Sequence, residues 1–343
     1  MTAQEHPAVE AWSPEPPPPP QRRAGPGLLA GLMALLLVFG MVGLVAARQA
    51  GGARTGASSP EGAAGGLLAA LDRDTLDARA LDRAARYLTG EERLLVTTYG
   101  DRMAALAAAR GGQGELGVMS FAVRNVRFQW VDGSDGVAVL EVVSGIVRVR
   151  ASGGGHLEMS VDQARQRLAE QTGSRVPSLR VVTVRSGGRW YVALLPTALE
   201  WSRLATAGGT ADYARLTAAA APGASSPEAA VRLLLTTLDR PLAESAARLA
   251  PGERNAVDAY QPALRDLLNG FTADLGFGLG ATGRGAGRVV TGTERVADGV
   301  VRVRLDGGPS PQVIALQRGG TWYPSMVFTL TEVTLTSSER EHS

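Results

Sequence analysis

The sequence contains no cysteine in its 343 residues. This absence excludes disulfides, thiolate metal ligands and a lipid anchor attached to a cysteine. Lysine is also absent, so every strongly basic side chain is arginine, which is typical of GC-rich coding. The three histidines, His6, His156 and His342, show no metal-ligand spacing. We therefore expect no bound metal and, for the reasons given below, no cofactor.

Net charge is also scarce, at +2 for the whole chain. Proteins that bind nucleic acids usually carry a dense basic patch, so we expect no nucleic-acid partner. Hydrophobic residues make up 45% of the sequence, which is enough for packed cores and argues against global disorder. The length suits two ordinary domains and a tail.

An internal repeat organises most of the chain. The sequence Ala-Ser-Ser-Pro-Glu occurs at 57–61 and again at 224–228, and Leu-Asp-Arg follows each copy at 71–73 and 238–240. Each copy later reaches Gly-Gly-x-Trp-Tyr, at 187–191 and 319–323. These matches predict two copies of one domain, residues 59–200 and 226–334, joined by a linker over 201–225. We call them the first and second repeats.

Each repeat shows helical patterns followed by strand patterns. Ser59 and Ser226 precede a proline and predict capped helices, with Ala64, Leu67 and Leu71 on one face of the first. A second helix is predicted over 75–87 and a third over 90–110, with its counterpart opening at 252. Strands are predicted up to a final hairpin at 179–195 and at 312–330. The first repeat also holds an insertion, residues 153–177, with a predicted helix over 161–170.

The N-terminal region differs from both repeats. Residues 1–26 include five consecutive prolines and predict a disordered cytoplasmic tail, serving as a spacer or as a ligand for a proline-binding domain. The next segment begins at Gly27, ends at Ala47 and carries no charge, which predicts a transmembrane helix. A cleaved signal peptide is the alternative. A linker over 48–58 follows, and residues 335–343 are predicted to be a disordered tail.

The order of helices, antiparallel sheet and final Gly-Gly-x-Trp-Tyr hairpin resembles the NTF2-like superfamily (SnoaL-like, cystatin-like α+β cone). It is most similar to single-pass members from actinobacterial envelopes. The resemblance implies an α+β fold: a transmembrane helix followed by two tandem NTF2-like domains, with helices packed on a curved antiparallel sheet. Members include isomerases, cyclases and nonenzymatic docking or sensory modules, so the fold alone does not give the function.

Four arginines are the candidate binding residues. They alternate with valine on two predicted strands, as Arg148 and Arg150 and as Arg302 and Arg304. A period of two places the valines on the core face and the arginines on the other face. The arginines then form either a strip for an anionic partner or an ordinary solvated sheet face.

Catalytic patterns are weak. Catalytic NTF2-like proteins place acidic or tyrosine side chains inside the cone, but Tyr99 and Asp101 are about 200° apart on a helix, and Asp258 and Tyr260 are too. The motif Gly-x-Gly-x-x-Gly at 278–283 follows a helix and precedes a strand, which is the wrong order for a dinucleotide site. We therefore predict no enzymatic activity.

The sequence predicts a single-pass protein of the plasma membrane with a cytoplasmic N-terminus and its repeats outside the cytoplasm. The short tail before the helix and the Arg22-Arg23 pair favour this orientation. Its partners would be the lipid bilayer, through the segment that starts at Gly27 and ends at Ala47, and an envelope protein or a second copy of the chain. The predicted function is binding or scaffolding. The alternatives are a small-molecule sensor or carrier that uses one cone as its pocket, and a SnoaL-like enzyme.

Overall fold

The computed structural model describes residues 55–71, 83–111, 118–151, 156–172, 178–205, 209–219, 222–237, 242–261, 288–306 and 312–341. The predicted transmembrane segment at 27–47 and the predicted tail at 1–26 lie outside these ranges. Within the described ranges, no helix has the length and apolar character needed to cross a bilayer.

In the described residues, the first repeat is an α+β unit in which helices precede the sheet. Its elements, in chain order, are α1 (Pro60–Leu71), α2 (Gly90–Gly111), β1 (Val118–Ser134), β2 (Val137–Ala151), β3 (His156–Ser160), α3 (Val161–Thr172), β4 (Arg180–Ser186), β5 (Arg189–Val192) and α4 (Leu194–Ala205). A short 3₁₀ helix, Tyr213–Thr217, follows in the segment predicted to be a linker.

The second repeat follows the same plan with shorter strands. Its elements are α5 (Pro227–Leu235), α6 (Leu242–Ala246), α7 (described for residues 251–261), β6 (Val290–Ala297), β7 (Val300–Leu305), β8 (Gln312–Arg318), β9 (Thr321–Ser325) and α8 (Met326–Glu341). The helix predicted at 90–110 and the strand predicted at 300–305 are confirmed.

Both sheets are antiparallel. The first has the strand order β1-β2-β4-β5, with β3 paired to the distal half of β2, and the second has the order β6-β7-β8-β9. In the first repeat β1 and β2 have 17 and 15 residues, whereas their counterparts β6 and β7 have 8 and 6. We call β1, β2 and β3 together the hairpin arm, because their extra length is confined to the first repeat.

Matching contacts recur in the two repeats. The Ser59 hydroxyl accepts from the Gly62 amide at 3.0 Å, and that of Ser226 accepts from Ala229 at 3.1 Å, so both predicted helix caps are confirmed. A bridge joins Ala57 to Trp190 in one repeat and Ala224 to Trp322 in the other. The repeated sequence therefore specifies repeated local structure.

The last helix of each repeat is also fixed by a matching contact. The Thr197 hydroxyl of α4 accepts from the Val182 amide at 2.9 Å, and Thr329 of α8 accepts from Ile314 at the same distance. Each bond ties the first turn of the helix to the penultimate strand of its sheet, which is β4 in the first repeat and β8 in the second.

The cores cross between the repeats. In the second sheet one face, with Val303 and Ala315, packs on α5 of its own repeat. Val300 and Ile314, on the other face, share a core cluster with Val96 of α2 in the first repeat. The exchange is reciprocal, because the side chains of Val137, Val139 and Val182 in the first sheet cluster with Val257 and Tyr260 of α7. Each repeat thus contributes one helix to the core of the other: α2 of the first repeat packs on the second sheet, and α7 of the second repeat packs on the first sheet.

The C-terminal predictions were wrong. The strand predicted to extend to Leu330 ends at Ser325. The next residues form α8 as far as Glu341, and this helix includes most of the segment predicted as a disordered tail at 335–343. The segment is rich in valine and threonine, which favours strand in local sequence patterns. Phe328 and Leu335 are buried on one helical face, so packing against α2 outweighs that preference. The same correction applies to the first repeat, where the predicted strand up to Leu195 ends at Val192.

The described parts of the segments predicted as insertion and linker belong to the fold. The predicted helix at 161–170 is confirmed as α3, and Val161 at its start is buried. In the predicted linker, Tyr213 is buried and its ring packs edge-to-face on Tyr260 at 6.2 Å between ring centroids. The segment between the repeats therefore contributes a side chain to the core of the first sheet.

Candidate functional site

The four predicted arginines do not occupy equivalent places. Val137 of β2 pairs with Val184, and Val300 of β7 pairs with Leu316 in the equivalent place. Val137 therefore corresponds to Val300. Two residues farther along each strand, Val139 corresponds to Arg302. Arg148 and Arg150 lie farther along β2, opposite β3. The two pairs therefore belong to separate surfaces.

Three of these arginines have carboxylate partners. Arg148 pairs with Glu158 of β3, and Arg304 pairs with Glu294 of β6 at 2.6 Å. Arg302 pairs with Glu294 at 2.8 Å and with Glu332 at 2.5 Å, and its side chain is 19% exposed. Arg302 therefore lies on the covered face of the second sheet. An anion-binding strip at Arg148, Arg150 and Arg304 stays a prediction.

The tyrosines and aspartates considered for catalysis point apart. Tyr99 and Tyr260 are buried, whereas Asp101 is exposed and Asp258 is half-buried. Burial raises the pKa of the Tyr99 phenol, and the neighbouring Glu332 carboxylate raises it further. The pKa of Tyr260 is raised by the same two causes, with Glu200 in the place of Glu332. Each tyrosine thus faces a glutamate of the other repeat.

Glu332 is the centre of the first of two buried ion-pair networks. Its carboxylate, on α8, is 1% exposed and accepts from Arg102 of α2 at 3.0 and 3.1 Å as well as from Arg302. Arg102 also donates to Glu339, about two turns farther along α8. This network joins α2 of the first repeat to the sheet and the last helix, α8, of the second repeat.

Glu200, on α4, is the centre of the second network and is completely buried. One oxygen accepts from Arg180 at 3.0 Å and from Arg203 at 2.6 Å. The other accepts from Arg203 at 2.9 Å and from the Tyr213 hydroxyl at 3.1 Å. Both oxygens are occupied by donors, so this carboxylate has little remaining capacity to accept a substrate proton.

The two glutamates occupy equivalent positions, ten residues after Trp190 and ten after Trp322. Neither glutamate was among the candidate residues predicted from the sequence. The signal was present, because a glutamate at the same distance from a repeated Trp-Tyr pair is a further element of the repeat. Their arginine partners come from different elements in the two repeats, so no sequence repeat marks those.

A second pair of equivalent glutamates caps helices. Glu92 of α2 accepts from the Leu195 amide at 2.9 Å, and Glu253 of α7 accepts from Met326 at 2.7 Å. Glu253 also accepts from the Ser325 hydroxyl and from Val327. Each carboxylate therefore supplies acceptors to the free amides at the start of the last helix of its repeat.

Burial dominates the ionisation of this second pair. It raises the pKa of Glu92 from 4.5 to about 7, against the opposing effect of the Leu195 amide. It raises the pKa of Glu253 to about 8, again against the hydrogen bonds that favour the charged form. Desolvation of a carboxylate costs more than these bonds return.

These pKa values predict a pH-dependent stability. Between pH 4.5 and 8 the folded chain binds more protons at Glu253 than the unfolded chain does, so the free energy of unfolding should fall as pH rises through this window. We expect Glu253→Gln to remove on the order of 1–3 kcal/mol of this pH dependence. Urea titrations of both proteins at pH 5 and 8 measure it. Glu61→Gln, at an exposed helix start, is the control and should keep the wild-type slope.

The hairpin arm carries most of the exposed apolar side chains. Seven large hydrophobic residues are exposed in the described parts of the chain, and five of them lie on the arm: Trp130, Val131, Val143, Ile146 and Leu157. Trp130 is 52% exposed. Within the arm, β1 forms an edge of the described sheet. Exposed apolar groups beside a strand edge are typical of a protein-binding surface.

The remaining candidates add little chemistry. His156 lies at the start of β3, opposite Arg150. The glycine motif at 278–283 lies outside the described residues. Among those the structure does describe, no group of three or more His, Cys, Asp or Glu could hold a metal ion.

Comparison of the chain with family models, curated proteins and solved structures found no match.

Proposed function

We propose that this chain is a single-pass membrane protein that displays two NTF2-like domains outside the cytoplasm and binds or organises another protein of the cell envelope. The apolar segment at 27–47 would anchor it, with the N-terminal tail in the cytoplasm. The NTF2-like assignment is supported by helices that precede an antiparallel sheet in each repeat and by the matching contacts between the repeats.

The observation that carries this proposal is that α2 and α7 each pack on the sheet of the other repeat. A carrier or an enzyme of this fold class would use the concave face of its sheet as a pocket. Here Val137, Val139 and Val182, on the face of the first sheet that packs against α7, are completely buried in a cluster with Val257 and Tyr260. A face filled by protein side chains favours a structural or binding role.

The buried acids support the same proposal. Glu200 and Glu332 are each held by two arginines, and Glu92 and Glu253 each accept from backbone amides at a helix start. These bonds connect elements of the fold to one another. A general base needs a free lone pair directed at a substrate, which such bonding opposes.

The hairpin arm is the binding surface in this proposal. Trp130 and Val131 are exposed near the turn of the hairpin, and Ile146 and Leu157 are exposed farther along it. An envelope protein with an apolar surface would cover these side chains. A second copy of the chain is the other partner that the same chemistry would suit.

Native mass spectrometry of the full chain in detergent tests the proposal. We expect the mass of the bare polypeptide, before and after organic extraction, from a membrane fraction purified without added ligand. A retained small molecule that extraction removes would contradict the proposal and support a carrier.

Crosslinking in cells tests the binding surface. It should recover a partner with the wild-type chain and lose it with Trp130→Ser, while Leu233→Ser, exposed on α5, serves as the matched control.

Labelling tests the proposed orientation. Because the chain lacks cysteine, Thr2→Cys and Ser343→Cys each create a single thiol. A membrane-impermeant maleimide should label Ser343→Cys in intact cells and Thr2→Cys only after permeabilisation. The opposite pattern would place the repeats in the cytoplasm.

A further inference from the structure

The first described residues are held in place by an arginine of the sheet. Arg189, at the start of β5, donates to the carbonyl of Thr55 at 2.5 Å and to that of Gly56 at 2.7 Å. The Gly56 amide donates to the Arg86 carbonyl at 2.7 Å, and the Tyr191 ring packs directly on Gly56. We call this part of the first repeat, residues 55–57, 83–89 and 185–191, the entry end.

The arginine contact distinguishes the first repeat from the second. The second repeat has the same bridge at its start, between Ala224 and Trp322. Thr321 stands where the first repeat has Arg189, and its hydroxyl donates to the Arg318 carbonyl rather than to the start of the repeat. A difference between otherwise matching contacts indicates a role that only the first repeat has.

The repeats can be compared position by position at this end. The Thr89 amide donates to the Val192 carbonyl, and the Ala250 amide donates to the Pro324 carbonyl in the equivalent place. Residues 83–89 therefore correspond to 244–250, and residues 185–191 correspond to 317–323.

The entry end is more basic than its counterpart. Residues 83–89 and 185–191 include no acid and four arginines, which are Arg83, Arg86, Arg185 and Arg189. The corresponding residues of the second repeat include two arginines and one acid, which are Arg248, Arg318 and Glu244. The formal charge of these segments is therefore +4 in the first repeat and +1 in the second.

Acids near the entry end do not explain this difference. Arg185 is exposed, and its amide donates to the turn between β1 and β2, which contains the exposed Asp135. Glu61 is exposed at the start of α1. Both acids have counterparts in the second repeat, Asp298 and Glu228, so the excess of arginine is particular to the first.

The proposed membrane anchor ends close to the entry end in the sequence. Seven residues separate Ala47, where the apolar segment ends, from Thr55, and they include Arg48 and Arg54. Even fully extended, the chain from Ala47 to Thr55 spans at most about 29 Å. A bilayer that holds the apolar segment would therefore lie near the arginines of the entry end, and arginines beside a membrane are attracted to anionic lipids.

The strands carry the hairpin arm away from the entry end. Val137 of β2 pairs with Val184 of β4, next to the turn between β4 and β5. Ile146, where β2 begins to pair with β3, is nine residues farther along β2 than Val137. At about 3.3 Å a residue, the far part of the arm begins roughly 30 Å from the entry end.

We propose that the entry end of the first repeat rests on anionic phospholipid headgroups beside the anchor, and that the hairpin arm points away from the bilayer. Arg86 and Arg185 bind lipid phosphates. A guanidinium has five N–H donors, so Arg189 can bind a phosphate in addition to its two carbonyls. The arm then meets its partner roughly 30 Å from the headgroups. This proposal rests on the proposed membrane anchor.

Energy transfer from a labelled cysteine to the lipid headgroups tests the proposal. The cysteine-free chain allows a donor at Ser186→Cys, exposed at the entry end, and another at Asp162→Cys, exposed at the start of α3 beside the arm. The full chain is reconstituted in phosphatidylcholine vesicles with about 30% phosphatidylglycerol and headgroup-bound acceptors. We expect transfer from Ser186→Cys to be at least about twofold more efficient, because of the roughly 30 Å between the two ends.

Neutral substitutions test the part played by the arginines. With the donor at Ser186→Cys, Arg86→Gln/Arg185→Gln should lower the transfer to the level that the unsubstituted chain shows in pure phosphatidylcholine. Arg248→Gln/Arg295→Gln is the matched control, because both arginines are exposed on the second repeat, and it should leave the transfer unchanged.

Flotation of the chain with the vesicles separates this proposal from the anchor itself. If the chain floats but the two labelled positions show equal transfer, the orientation is overturned and the anchor stands. Equal transfer from Ser186→Cys in both lipid mixtures overturns the binding of anionic headgroups. A chain that does not float overturns the anchor, and this proposal with it.

Discussion

Replacement of Glu332 by alanine should destabilise the folded chain by about 3–5 kcal/mol. The substitution leaves Arg302, 19% exposed, with one partner fewer on the covered face of the second sheet. It also removes from Arg102 the partner that holds α2 of the first repeat against α8. A buried arginine without its carboxylate costs more than the ion pair itself contributes. Equilibrium urea unfolding, followed by tryptophan fluorescence, measures the loss.

Glu339→Ala is the matched control. It removes the other carboxylate that accepts from Arg102, but its side chain is 55% exposed. Exposed ion pairs contribute little, so we expect a change of less than about 1 kcal/mol. Equal effects of the two substitutions would show that burial of Glu332 does not govern the network.

Tyr99→Ala should destabilise the chain by about 3–5 kcal/mol and should lower the stability of both repeats together. The tyrosine belongs to the first repeat, but its ring packs edge-to-face on Phe328 of the second, at 5.8 Å between centroids. Its removal leaves a cavity in a core to which both repeats contribute. Tyr260→Ala, in the reciprocal cluster, should have an effect of the same size.

The diagnostic result is the shape of the unfolding curve. Both tyrosine variants should unfold in one transition, shifted to lower urea, because neither sheet keeps its core without the helix of the other repeat. Asp101→Ala, exposed on the same helix as Tyr99, should shift the midpoint little. Two separate transitions in Tyr99→Ala, with the second at the wild-type midpoint, would contradict the exchange of helices.

Local features of the fold were predictable because they depend on residues close in sequence. Ser59 and Ser226 with their following prolines fixed two helix starts, and Asp298 with Gly299 fixed the turn into β7. The end of β9 was not predictable in this way. The strand-favouring residues after Ser325 form a helix because the first amides of that helix donate to the Glu253 carboxylate, more than 70 positions earlier in the chain.

The exchange of helices could not be predicted from either repeat. The apolar face of α2 with Val96 and Tyr99 is equally suited to a sheet of its own repeat and to the sheet of the other. Which of the two sheets a helix covers depends on the side chains at equivalent positions of the sheets, such as Arg302 where the first repeat has Val139. The buried glutamates were predictable in principle from their repeated position, but a pattern search for paired catalytic groups does not select isolated acids.

The pairing of Glu91 with Gly252 also bears on how such a chain could have arisen. Glu91 accepts from the amide of Gly252, its counterpart by position in the second repeat, at 3.1 Å. An ancestor made of two identical subunits would carry the same residue at both positions, and two glutamates there would have to place their side chains differently, because a β-carbon at Gly252 would lie 2.5 Å from Glu91 Oε2. Fusion of the two coding sequences removed that requirement, because each position could then mutate by itself. The bond from the Gly252 amide to the Glu91 carboxylate is therefore a one-sided contact between two equivalent positions, of the kind that a fused gene can acquire by changing one position alone.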